Sequence, residues 1–253
     1  MLIVLRFPLA GNPRWAFFSC LNADEQESIP YKADLACLNF SLLALKKCFK
    51  NTFPDDVAFL LQSHGPRAFK ENNIITLSTE CLGDQIRMAY QAAHEICHLC
   101  IPSGVQPELK FWEETICQIA ATYVLIEIYK DPQMKPILSE QVINYIPTYI
   151  SQISCFPSSC SPYEFLLHEF EYLKQTPNDY EKNQILANDL FPLVYQTLDL
   201  WEWASMLAEY HHLNTLESQL NSLVTFINIE RPQSSIIQNF LMSEGFPKGP
   251  SYG

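Results

Sequence analysis

Positive charge is scarce in this sequence. The 253 residues include 16 Lys and Arg against 28 Asp and Glu, which gives a formal net charge of −12. Proteins that hold nucleic acids usually present a broad positive surface to the phosphate backbone. The charge balance therefore argues against a nucleic-acid partner.

Long hydrophobic runs are also missing. A helix that spans a bilayer needs about 18 or more consecutive apolar residues, and no stretch of the chain reaches that length. The start, "MLIVLRFPLAGNPRW", has a short apolar run before Arg6 and lacks a basic leader, so it is more typical of a first strand than of a signal peptide. We expect a soluble protein without a membrane partner.

A regular disulfide framework is the third absence. The nine cysteines are an odd set without framework spacing. Several lie inside apolar segments, which favours reduced thiols in a cytoplasmic compartment. One C-x-x-C is present, Cys97 to Cys100, but no second one accompanies it, and "CFPSSC" at 155–160 has a different spacing. We interpret these thiols as core residues and not as a metal or redox site.

Hydrophobic residues make up 48% of the chain, which is enough to build a core. In the first half, "LIVLRF" and "WAFFSCL" flank a Gly-Asn-Pro turn and predict a β-hairpin. The segment after Pro30 has helical periodicity, and two short β-rich runs follow it. The predicted elements are strands at 2–7, 15–21, 57–61 and 74–78, and a helix at 31–50.

Strand signals end near Asp84. Asp84 can cap a helix that runs to Ile101, and Pro107 suits the first turn of a second helix that reaches about Lys130. We predict an α+β fold with a small antiparallel or mixed sheet, followed by an all-helical region, in domains 1–135 and 136–253. The later predicted elements are a linker at 155–162 and helices at 162–176, 179–198 (with Pro192 as a kink or break) and 200–221.

The stretch "QAAHEICHLCIP" contains H-E-x-x-H, with His94, Glu95 and His98. On an α-helix, positions four apart differ by about 40° around the axis, so both imidazoles face one way. Glu95 lies about 100° to the side of His94. Zinc peptidases use this spacing: two imidazoles bind Zn²⁺ and the carboxylate takes a proton from the metal-bound water.

A catalytic zinc normally has a third protein ligand. The following helix contains "FWEETICQIAATY", and a short loop at 102–106 that folds the two helices antiparallel brings Glu114 level with the histidine pair. Glu113 lies at nearly the same height along the helix axis, but its side chain points about 100° away from that of Glu114. We prefer Glu114 because it shares its stripe with Cys117 and Ala121, small residues that let a second helix approach.

The run "NNIITLS", the helix with "HEICH" and the helix with "WEETICQIAA" together resemble the gluzincin branch of zinc metallopeptidases, most closely the small ImmA/IrrE-type domains, over residues 72–125. The resemblance implies zinc bound by His94, His98 and Glu114, and Glu95 as the general base. It further implies that the strand at 74–78 pairs with the substrate.

The sequence thus predicts a zinc-dependent peptidase that acts on a peptide or protein substrate, with the helical second half covering the cleft or binding a partner. The alternative is a non-catalytic zinc-binding or metallopeptidase-like protein that serves as an interaction scaffold. A purely structural helical protein without metal is the third interpretation. Only catalysis requires Glu95, so this residue distinguishes the first two.

Overall fold

A computed structural model describes residues 3–21, 31–154, 162–196 and 199–230. Among these residues it contains a five-stranded mixed sheet and a predominance of helix, so the predicted α+β class is confirmed. The strands are β1 (Ile3–Leu9), β2 (Asn12–Leu21), β3 (Val57–Gln62), β4 (Arg67–Phe69) and β5 (Ile74–Ser78). The helices are α1 (Lys32–Cys48), α2 (Gln85–Cys100), α3 (Lys110–Lys130), α4 (Glu140–Ile153), α5 (Pro162–Gln175), α6 (Tyr180–Gln196), α7 (Asp199–Ser205) and α8 (Leu216–Glu230).

The predicted hairpin is confirmed. Strands β1 and β2 pair antiparallel around a turn in which Ala10 (φ 50°) and Gly11 (φ 67°) both have positive φ. Positive φ at both central residues is the mark of the tight hairpin turn whose twist matches the flanking strands. The Ala10 amide donates a 2.5 Å hydrogen bond to Asn39 Oδ1, which fastens the turn to α1.

The strand order is β1-β2-β3-β5-β4. The central pairs β2/β3 and β3/β5 are parallel, whereas the outer pairs are antiparallel. A 3₁₀ turn at Lys70–Asn72 and a left-handed Asn73 reverse the chain from β4 into β5. Strand β4 was not predicted, because three residues are too short to show alternation.

One face of the sheet forms the core under the helices. Phe17, Phe59 and Ile75 lie side by side on neighbouring strands and are each 0% exposed. Trp15 points to the same face, and Lys46 of α1 lies 5.0 Å from the centroid of its ring. Helix α1 therefore packs on this face, and α2 packs against α1.

The helix that contains H-E-x-x-H begins as the sequence predicted. Asp84 Oδ1 accepts a 3.0 Å hydrogen bond from the Arg87 amide, so Asp84 caps α2. Helix α3 follows a 3₁₀ turn that starts at Pro107. Helix α4 was not predicted, since Pro136 precedes it and Pro147 lies inside it.

The later helices agree in part with the sequence. Helix α6 continues through Pro192, so the kink or break predicted at this residue does not end the helix. The single helix predicted at 200–221 is two helices, α7 and α8. Thr215 Oγ1 accepts a 3.1 Å bond from the Ser218 amide and caps α8. The linker prediction falls mostly on 155–161, outside the described residues.

The chain divides into two compact units, each made of two separate segments. The first contains residues 1–100 and 120–152, and the second contains 101–119 and 153–253. The predicted domains, 1–135 and 136–253, were continuous segments and remain a prediction. Within the described part of the chain, no helix has the length and apolar character needed to cross a membrane.

Candidate metal centre

Helix α2 brings the two histidines of the motif together. The Nε2 atoms of His94 and His98 lie 3.3 Å apart, and the ring centroids are separated by 5.0 Å. Both side chains are half-buried. The single helical turn between them therefore produces the shared direction that the sequence predicted.

This separation can be compared with the geometry of zinc. Imidazole nitrogens bind Zn²⁺ at about 2.0–2.1 Å, and a tetrahedral angle of about 109° then places two of them about 3.3 to 3.4 Å apart. The observed 3.3 Å between the Nε2 atoms lies in that range. The histidine pair fits two corners of a tetrahedral site.

Glu95 follows His94 on the same helix. Its side chain is 5% exposed, so the carboxylate is largely removed from bulk water. Buried carboxylates require polar or charged partners, which suits a group placed beside a metal or a reacting water. Its role as a general base remains a prediction.

The position of α2 at the sheet is fixed by Gln91. Its Oε1 accepts a 3.2 Å hydrogen bond from the Ser78 amide at the end of β5 and a 2.6 Å hydrogen bond from Cys81 Sγ. Gln91 lies three residues before His94, and α2 also contacts β4 and β5. The histidine pair is therefore held on a helix anchored to this side of the sheet.

A third side chain joins the histidines. His94, His98 and Cys117 each offer one ligand atom, and these atoms all lie within 4.8 Å of one another. Imidazole nitrogen and thiolate sulfur are both common zinc ligands, so the group is a possible metal-binding site. The sequence predicts for Cys117 only the role of a small residue that lets a second helix approach. The sequence feature that could have identified Cys117 as a candidate ligand is its position one turn after Glu114, on the same side of α3.

The two candidate glutamates have different surroundings. Glu113 is 2% exposed, and its Oε2 accepts a 2.8 Å charged hydrogen bond from Lys110 Nζ on the same helix. This ion pair gives Glu113 a structural role within α3. Glu114 is half-buried and does not belong to the group of three. Its assignment as the third ligand remains a prediction.

The two cysteines of the C-x-x-C on α2 are core residues, as predicted. Cys97 and Cys100 are both 0% exposed. Burial raises the pKa of Cys100 well above its usual value, with Cys97 and Cys48 nearby. Burial also raises the pKa of Cys48 to about 12, against a hydrogen bond with Tyr123 that lowers it. Among the described residues, neither Cys97 nor Cys100 belongs to a group of three or more potential metal ligands.

Comparison of the chain with protein-family models, with curated proteins and with solved structures found no match in any of the three searches. The resemblance to gluzincins therefore depends on the motif residues between 72 and 125.

Proposed function

We propose that this protein is a zinc-dependent peptidase. The proposal depends most on the 3.3 Å separation of the His94 and His98 Nε2 atoms, which suits one shared tetrahedral ion. The buried Glu95 beside His94 completes the motif that zinc peptidases use. The half-buried histidines keep part of their surface accessible to solvent.

The roles of the residues follow from their chemistry. His94 and His98 would hold the ion through Nε2, and the third ligand would come from α3, as the Glu114 carboxylate or the Cys117 thiolate. A zinc ion held there would lower the pKa of a bound water and polarise the peptide carbonyl. The Glu95 carboxylate accepts a proton from the attacking water and delivers it to the nitrogen of the leaving amine.

The edge of the sheet suggests where the substrate lies. The resemblance to gluzincins implied pairing with the strand at 74–78, but β5 has β3 on one side and β4 on the other, with residues 74–76 paired to both. The edge strand next to β5 is β4, and α2 contacts it. We therefore assign substrate pairing to the open edge of β4, where an extended peptide can add a strand.

The test replaces Glu95 with Gln. Glu95→Gln keeps the side-chain size and removes the base, so zinc content and fold should be retained while turnover falls by about 10² to 10⁴. Zinc is measured by elemental analysis, and products from a peptide library are identified by mass spectrometry. Glu80→Gln is the matched control, because Glu80 is an exposed carboxylate that pairs with Arg87 near the start of α2.

The outcomes separate the two main interpretations. Zinc-dependent products from wild type and Glu80→Gln, but not from Glu95→Gln, would support the peptidase. Equal products from all three proteins would show that Glu95 is not the base. Bound zinc without products from any of them would favour the zinc-binding scaffold.

A further inference from the structure

The five strands align one row of side chains across the face of the sheet that is opposite α1. Arg6 pairs with Phe18, Phe18 with Leu60, Leu60 with Thr76, and Thr76 with Arg67. Directly paired residues on neighbouring strands point to the same face. The row therefore begins with an arginine on one edge strand and ends with an arginine on the other.

Ala16 (2% exposed) and Thr76 (7% exposed) are buried on this face, but its other apolar residues are less buried than those of the opposite face. Phe18, Leu60 and Ile74 are half-buried, and Phe69 is 39% exposed. Ala58 lies between them and is also half-buried. We call this set the outer face: Phe18, Ala58, Leu60, Ile74 and Phe69. A contiguous apolar surface flanked by polar groups commonly marks an interaction site.

The charge of the strands differs from that of the chain. The described strands contain Arg6, Arg14 and Arg67 and no acidic residue, in a protein whose net charge is −12. Arg6 donates to the Pro13 carbonyl, and the Arg67 guanidinium lies 5.2 Å from the centroid of the Phe69 ring. Neither Arg6 nor Arg67 forms an ion pair with a carboxylate of the described residues.

We propose that the outer face binds an acidic amphipathic helix of a partner protein. The face of a sheet has its backbone groups already paired, so its natural covering element is a helix with an apolar stripe. The two exposed arginines select carboxylates at both ends of that stripe. A nucleic-acid partner is disfavoured by the net charge of −12.

The length of the partner helix follows from the sheet. Four strand spacings of about 4.8 Å place Arg6 and Arg67 about 19 Å apart along the row. A helix rises about 1.5 Å per residue, so carboxylates about 14 positions apart are separated by about 21 Å and lie on nearly the same side of the helix. Apolar residues spaced three and four apart between them would cover Phe18 and Leu60.

This interaction does not depend on the proposed peptidase activity. The outer face is formed by the strands alone and involves none of the residues assigned to metal or proton transfer. Binding of the helix can therefore be measured in Glu95→Gln as well as in wild type.

The experiment uses a synthetic, fluorescein-labelled helical peptide with leucines at three- and four-residue spacing and glutamates 14 positions apart. Fluorescence anisotropy at low salt should show binding to wild type, and Arg6→Glu combined with Arg67→Glu should weaken it at least tenfold. A second peptide with lysines in place of the two glutamates should prefer the charge-reversed protein. Arg87→Glu is the control, since Arg87 lies on α2 and pairs with Glu80 at 3.0 Å.

Three results would overturn the proposal. The first is the absence of binding to wild type, and the second is equal affinity for the acidic and basic peptides in both proteins. The third is a wild-type dimer in sedimentation that Leu60→Glu dissociates, because the outer face would then be covered by a second copy of the chain. Circular dichroism confirms that each variant is folded; the substituted arginines are exposed.

Discussion

Helix α2 presents two faces with opposite properties. His94 and His98 occupy one face, half-buried, with their Nε2 atoms 3.3 Å apart. Cys97 and Cys100 occupy another, where both side chains are completely buried. Each pair consists of residue types that bind zinc, and each has a spacing that sequence patterns associate with metal sites.

The difference lies in the side chains that each pair meets. The histidines belong to a group with Cys117 in which the ligand atoms lie within 4.8 Å of one another, whereas neither Cys97 nor Cys100 belongs to such a group among the described residues. A half-buried imidazole keeps access to solvent and to a ligand. The comparison teaches that spacing identifies candidate ligands, whereas the environment of the face decides which pair can act.

The largest expected effect is on zinc content, and it distinguishes the histidine pair from the cysteine pair of α2. His94→Ala combined with His98→Ala should reduce zinc from about one ion per chain to none, because two of the three or four ligands are lost. Cys97→Ala combined with Cys100→Ala should leave the zinc content unchanged. Elemental analysis of the purified proteins measures both. Zinc retained in the histidine variant and lost in the cysteine variant would reverse the assignment of the faces.

The second prediction concerns the ligand that α3 adds to the histidine face. Glu114→Ala should weaken zinc affinity at least tenfold, since a lost ligand costs no less than a lost supporting group, which costs about 10- to 100-fold. Glu113→Ala should change it little, because Glu113 pairs with Lys110. Competition with a chelating dye measures the affinities. A tenfold loss in Cys117→Ala but not in Glu114→Ala would identify the thiolate as the ligand.

The smallest effect tests, by pH, the buried thiol of Cys48 on α1, which lies near Cys97 and Cys100. The pKa of Cys48 is raised to about 12 by burial, whereas an unfolded thiol titrates near about 8.5. Above that value the unfolded chain binds fewer protons than the native state, so the unfolding free energy falls as pH rises. From pH 8 to 9.5, wild type should lose about 1 kcal/mol more than Cys48→Ala in urea unfolding. Parallel pH curves for the two proteins would refute the buried, protonated thiol.

Much of the first unit could be predicted from local patterns. The hairpin, α1, β3, β5 and α2 have strong periodicity or clear capping residues, and the structure contains all of them. The elements that were missed lack such signals. Strand β4 has three residues, and α4 retains helical geometry with Pro147 inside it because Ile143 and Ile146 are buried on one face. Tertiary packing decides both.

The candidate site shows the same limit. The positions of His94 and His98 follow from one helix and required no knowledge of the fold. The third ligand depends on how α3 lies along α2, which a one-turn shift changes from Glu114 to Cys117. The sequence places Glu114 and Cys117 on the same side of α3, but it does not specify which of the two side chains lies nearer to the histidines.

Each compact unit is made of two separate chain segments, and this has a consequence for synthesis on the ribosome. The first unit needs residues 120–152 as well as 1–100. At about 5 to 20 residues per second, roughly 3 to 10 s separate the synthesis of residue 100 from that of residue 152. During that interval residues 1–100 lack the segment that contains Ile143 and Ile146. The nascent chain therefore exposes apolar surface that chaperones recognise until α4 emerges and completes the unit.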